Sequence, residues 1–222
     1  MKNIILQHWT GDMDELGTLS SANISKYATK VGADYKLLRG DVFNPTLCAP
    51  MQKLFMLDET FDEYDVVVML DIDMFTRVGM DENIFDPDIT GVGMCTEFQE
   101  KLFRSLCKQK PTLTNPDYPY WGGAIYKLDR ELRQRLRSHF NEAEMIQFAF
   151  RGNFQDEGYM HRLATLAKVE KCKLPGSRKW CYGSSETVEG GVERAVMIHI
   201  RNGPKFPKFD NYNNLVKRGL IE

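Results

Sequence analysis

Long hydrophobic runs are missing from this chain. No stretch approaches the roughly 20 apolar residues that a membrane-crossing helix needs. The opening, MKNIILQHWTGD, holds only three apolar residues in a row, which reads as neither a signal peptide nor an anchor. Cysteine is also scarce. Cys48, Cys95, Cys107, Cys172 and Cys181 are an odd number without a CxxC pair. That pattern indicates neither a disulfide framework nor a zinc knuckle and favours a reducing compartment. Nor is there an excess of either charge: 29 Lys and Arg against 31 Asp and Glu give −2, so electrostatics offers no case for nucleic acid or an anionic membrane. The expectation from these absences is a cytoplasmic protein without membrane insertion, or a domain cut from a longer one.

What is present reads as an ordinary globular chain, 42% hydrophobic and 27% charged. At 222 residues it is long enough for one α/β domain, residues 1–222, burying about 70% of its unfolded surface. Apolar patterning alternates between the two periods. NIILQH reads as a strand and 17–31 as a helix with Leu19, Ile24, Tyr27 and Val31 inward. DYKLLR reads as a second strand, and APMQKLFMLDETF as a second helix carrying Met51, Leu54, Phe55 and Leu57. DVVVML is a third strand, apolar throughout as a parallel strand covered on both faces must be. Strands at this spacing with helices between them predict βαβ units and a mainly parallel central sheet flanked by helices. Further on, ITGVGMC and GGAIYKL read as strands, 97–109 and 155–167 as helices, and AVMIHI as the last strand. Beside the basic residues of DRELRQRLRSHF run Leu128, Leu132, Leu136 and Phe140 at a spacing of four, which predicts an amphipathic helix with a solvated basic face.

The chemistry concentrates where the third strand ends, at Asp71-Ile72-Asp73. Ligands bind beyond the carboxyl ends of strands in open α/β sheets. In extended backbone, residues i and i+2 point to the same side, about 6.6 Å apart, so the two carboxylates can converge on one divalent ion. Three readings compete. The motif could hold a metal for a nucleotide-sugar diphosphate. It could serve a DxD phosphatase or phosphotransferase, although Phe75 and the late strand position depart from that pattern. Or the domain could bind nucleotide sugars or glycans without turnover.

Several segments together resemble the DxD-type GT-A glycosyltransferases, including their capsid-modifying members from chlorella viruses. They are KLFMLDETFDEYDVVVMLDIDMF with Lys53, YWGGAIYKL, NFQDEGYMHRLA and IHIRNGPKFPKF. The resemblance implies a metal shell of Asp71, Asp73 and His199 holding Mn²⁺, with Mg²⁺ as the alternative. It implies Asp156 or Glu157 at the reacting sugar. Donor contacts would come from Lys53, Ile72, Trp121, Gly122, Gly123 and Lys205, with Lys208 an alternative to Lys205 at the diphosphate. The usual acidic pair after the first strand is missing, so Gln7, Trp9 and Thr10 are expected at the base. The implied activity is transfer of a hexose or deoxyhexose from a UDP-sugar to a glycan or glycoprotein, with retention and with viral capsid glycosylation as its setting.

Overall fold

The computed structural model describes residues 1–87, 93–95, 100–116, 122–149, 155–169, 177–183, 191–202 and 207–222. β1 (Asn3–Trp9) leads into α1 (Glu15–Lys30), where the Asp14 carboxylate accepts from the Gly17 amide and satisfies one orphan donor of the first turn. β2 (Asp34–Arg39) follows, then β3 (Val66–Leu70), β4 (Met74–Thr76), β5 (Gly93–Cys95) and α2 (Glu100–Gln109). β6 (Gly122–Asp129) runs straight into α3 (Arg130–Arg137), capped by Asp129. α4 (Glu142–Ile146), α5 (Gln155–Leu166), α6 (Ser177–Trp180), β7 (Tyr182–Gly183), β8 (Met197–His199) and α7 (Lys208–Lys217) complete the order.

The main sheet runs β2-β1-β3-β6-β5. β1 lies parallel to β2 and β3, whereas β6 is antiparallel to both β3 and β5. Apolar side chains of β3 alternate between two cores. Val67 and Met69 face Leu54, Leu132, Met160 and Leu163, while Val68 and Leu70 face Ile24, Tyr27 and Ala28 of α1. This double coverage is why the strand sequence is apolar without interruption.

Two expectations are corrected. The segment after the second strand is not an α-helix but a 3₁₀ helix over Ala49–Leu57, with a second short turn at Glu59–Phe61. Met51, Leu54 and Leu57, all fully buried, stand three apart, and a helix of three residues per turn stacks such positions on one face. The final apolar strand lies in a separate three-stranded sheet, β4-β8-β7. The basic face of α3 is not wholly solvated either. Arg133 is fully buried, its guanidinium donating to the carbonyls of Leu128, Phe61 and Tyr64 at 3.0, 2.8 and 2.7 Å. Burial lowers its pKa to about 10.

Candidate active site

β3 delivers Asp71 to the carboxyl edge of the main sheet, and the chain then turns. The Asp71 amide donates to the Ala124 carbonyl at 3.0 Å, and the Met74 amide returns to the Asp71 carbonyl at 3.2 Å. Asp71 and Asp73 therefore flank a tight turn rather than lying on an extended strand. The reason is the start of β4 at Met74, which pairs antiparallel with β8 in the register Met74↔His199. The Ile200 amide donates to the Asp73 carbonyl at 2.9 Å. These backbone bonds bring His199 to the aspartates despite its distance in sequence.

One ligand atom from each of Asp71, Asp73 and His199 lies within 4.8 Å of the other two. His199 Nε2 is 3.1 Å from Asp73 Oδ1 and 3.8 Å from Asp71 Oδ2. Two carboxylates and an imidazole are a donor set that suits a divalent ion such as Mn²⁺.

The electrostatics around this cluster are tightly balanced. Lys208, on the first turn of α7, pairs with Asp73 Oδ2. Burial disfavours the charged Asp73 carboxylate, but His199 and Lys208 outweigh it and hold the group well below the usual range. Burial likewise opposes a charged His199, yet Asp73 and Cys181 raise its proton affinity well above the ordinary value. Arg201 Nε donates to His199 Nδ1 at 3.1 Å, a contact that favours a neutral ring. The buried Asp73 carboxylate beside Nε2 is the stronger influence.

A second group of charges adjoins the first. Lys53 descends from the 3₁₀ helix and is buried. Its Nζ lies 2.9 Å from Asp71 Oδ1, 2.7 Å from Asp156 Oδ2 and 3.0 Å from the Gly123 carbonyl. Desolvation works against this cation, but the two carboxylates keep it protonated. The Tyr126 hydroxyl donates to Asp156 Oδ2 at 2.8 Å, and the Gly123 amide donates to Glu157 Oε1 at 2.7 Å. Burial pushes both the Asp156 and Glu157 carboxyls upward, against the pull of Lys53. Gly123 is fixed by close approach: a Cβ there would lie 2.5 Å from the Tyr126 hydroxyl and 2.7 Å from Asp156 Oδ2.

Asp71, Asp73, Lys53, Asp156 and Glu157 border one cavity of about 630 Å³, lined also by His8, Trp9, Thr10, Ala49, Pro50, Leu70, Ile72 and Gln155. Gln7, expected at the base, is absent from that lining and fully buried. Its Nε2 donates to Ser20 Oγ at 3.1 Å and to the Asp71 carbonyl at 3.0 Å, while its Oε1 accepts from the Tyr35 hydroxyl at 2.9 Å. Ser20 Oγ donates in turn to the Met74 carbonyl at 2.7 Å. Gln7 thus braces the Asp71–Met74 turn from beneath, and period-2 alternation along β1 turns it away from the cavity. Gly122 and Gly123 open β6 beside the carboxylates. Trp121 and Lys205 lie outside the described residues. His8, passed over in the sequence, lines the cavity; its signal was a polar ring alternating with Gln7 on an otherwise apolar strand.

The architecture is the GT-A fold, an α/β arrangement with a mixed sheet flanked by helices. No family model matches the chain, and no curated protein does. Solved structures do. A glycosyltransferase involved in glycosylating the major capsid of PBCV-1 is 11% identical, covering 97% of this chain and 100% of that one, with a TM-score of 0.57. The bifunctional glycosyltransferase WbbM is 13% identical over 96% of this chain and 49% of its own, with a TM-score of 0.57. The galactosyltransferase LgtC, solved with donor and acceptor sugar analogues, is 10% identical over 96% and 95%, with a TM-score of 0.52. At such identities the likeness speaks for the fold.

Proposed function

We propose that the protein is a metal-dependent glycosyltransferase that moves a hexose or deoxyhexose from a UDP-sugar to a glycan or glycoprotein acceptor. The observation that carries this reading is the convergence of Asp71, Asp73 and His199 at the carboxyl edge of a GT-A sheet, with Lys53 bridging Asp71 to Asp156 and with both aspartates of the cluster, Lys53 and Asp156 lining one cavity. Asp71, Asp73 and His199 would hold Mn²⁺, or Mg²⁺ in its place. When bound, the ion supplies positive charge against the charge developing on the departing diphosphate.

The chain's own residues do the rest. Lys208, already facing Asp73, and Lys205 bind the diphosphate oxygens. Trp9 and Thr10, which line the cavity, meet the nucleoside, with Ile72 beside the diphosphate. Gly122, Gly123 and Trp121 take the sugar, and Lys53 fixes the carboxylate that faces it. Asp156, with Glu157 beside it, stabilises the anomeric carbon as its bond to the diphosphate oxygen breaks and the acceptor oxygen adds. The acceptor hydroxyl proton leaves with the diphosphate, and the configuration is retained. The setting suggested by the resemblance is capsid glycosylation.

The test is a panel of nucleotide sugars with Mn²⁺, scored for UDP release with and without acceptor glycans. Release from one UDP-sugar, abolished in Asp73→Asn, is the expected result. Binding of UDP without turnover of any sugar would leave a glycan- or nucleotide-sugar-binding module. Hydrolysis of simple phosphate esters would make the protein a phosphatase.

A further inference from the structure

Two kinds of side chain line the cavity: the aspartates, Glu157 and Lys53 carry charge, whereas His8, Trp9, Thr10, Ala49 and Pro50 include neither a carboxylate nor a permanent cation. On the nucleotide-sugar reading, on which this inference rests, the diphosphate meets the charged groups and the flat, uncharged base meets the uncharged ones.

His8 is only 8% exposed, so its partners decide what its ring can offer. Nε2 lies 2.7 Å from the Gly40 carbonyl oxygen. A carbonyl only accepts, so that nitrogen carries the proton. Thr10 Oγ1, 3.4 Å from the same nitrogen, does not alter the assignment. Burial lowers the basicity of the ring, and the Lys53 cation lowers it further. The ring is therefore neutral, with a lone pair on Nδ1. Among the described residues nothing donates to Nδ1, and that atom is not among the buried atoms lacking a partner. It is an accessible acceptor on a residue that lines the cavity.

We propose that His8 selects the base of the donor nucleotide by accepting at Nδ1 a hydrogen bond from a ring N–H. Uracil presents one at N3, and guanine at N1. Cytosine and adenine present a lone pair at the corresponding nitrogen, so two acceptors would face each other in a largely dehydrated site. A site built to hydrogen-bond a ligand N–H discriminates strongly against an analogue lacking it, because its own polar group is left unpaired. Uracil and cytosine share ring size and O2, so comparing them isolates the edge that differs.

The experiment is calorimetry of UDP, CDP, GDP and ADP with the full chain and Mn²⁺, together with N3-methyl-UDP. UDP is expected to bind about tenfold or more tighter than CDP, with any preference among the purines falling on GDP. N3-methyl-UDP should bind the unaltered protein no better than CDP, a result that depends on no variant folding. His8→Leu should bring the UDP-to-CDP ratio to about one, while Mn²⁺ affinity read by electron paramagnetic resonance stays unchanged. A ratio is unaffected by general loosening of the fold. Equal binding of UDP, CDP and N3-methyl-UDP by the unaltered protein overturns the role of His8 alone, as does a ratio that survives His8→Leu. Failure of every nucleoside diphosphate to bind overturns the nucleotide-sugar reading, and this inference with it.

Discussion

Asp73 and Asp156 are both buried carboxylates, and their surroundings give them different work. Asp73 lies between His199 and Lys208, in the cluster that could hold a metal ion. Asp156 lies between Lys53 and Tyr126, away from His199. Asp156→Asn should therefore leave Mn²⁺-dependent UDP affinity within a few-fold and reduce transfer by roughly 10²-fold or more, whereas Asp73→Asn should lose both. Calorimetry alongside a UDP-release assay separates the two. Normal transfer by Asp156→Asn would move the role to Glu157, whose carboxyl adjoins the same strand through Gly123. His199 adds a pH dependence. A folded-state pKa raised above the unfolded value, near 6.5, means the proton is bound more tightly in the native protein. The stabilisation it brings is complete below about pH 6.5 and is lost as pH rises through the higher folded value. A metal must displace that proton, so Mn²⁺ affinity should climb with pH and reach its half-point above 6.5. His199→Ala should flatten the climb. An Mn²⁺ titration indifferent to pH between 6 and 9 would remove His199 from the shell.

At the scale of elements, the site depends on two short pieces, the pairing of β4 with β8 and the glycine opening of β6. The aspartates, His199, Lys53 and the Asp156-Glu157 helix start were legible as residues, because each departs from the apolar or amphipathic pattern around it. Their geometry was not. The turn at Asp71–Met74 exists because β4 finds a partner far along the chain, and nothing in a window of ten residues announces that pairing. The 3₁₀ helix was missed for a related reason: spacings of three and four coexist over Met51–Leu57, and the packing against β3 and α5 chooses between them. Gln7 was read as a ligand contact because it is polar at a strand end, and only the network from Tyr35 and Ser20 shows it to be a brace. Gly123 offers the test at this scale. A methyl group there meets the Tyr126 hydroxyl, Asp156 and Glu157 Cγ, all within 2.9 Å. Gly123→Ala should cost about 1–3 kcal/mol of stability by overpacking and reduce transfer more than tenfold by shifting the carboxylates. A thermal melt and a turnover assay unchanged from the parent protein would refute the close packing.

For the molecule as a whole, the two sheets meet at the site, and that junction is where charge is concentrated. No helix among the described residues is long and apolar enough to cross a membrane. β1 and β3 end at the cavity floor with Asp71, while the small sheet supplies His199 and α7 supplies Lys208. Two ligands that share this junction cannot bind independently. Asp71 and Asp73 together with a diphosphate would place several negative charges within a few ångströms, a repulsion that a divalent ion converts to attraction. UDP should accordingly bind more tightly in Mn²⁺, and Mn²⁺ more tightly in UDP, by the same factor, because coupling between sites is reciprocal. A factor of about 5–150 is the range such couplings span. Binding of both should also raise the melting temperature beyond the sum of the separate shifts, since each ligand then stabilises the native junction at a higher effective affinity. Calorimetric titration of UDP in Mn²⁺ and in EDTA, paired with Mn²⁺ titration in the presence and absence of UDP, measures both sides of the cycle. Equal UDP affinity in EDTA and in Mn²⁺ would mean that the aspartate pair is neutralised by Lys53 and Lys208 alone, and that the turn between the two sheets holds no metal.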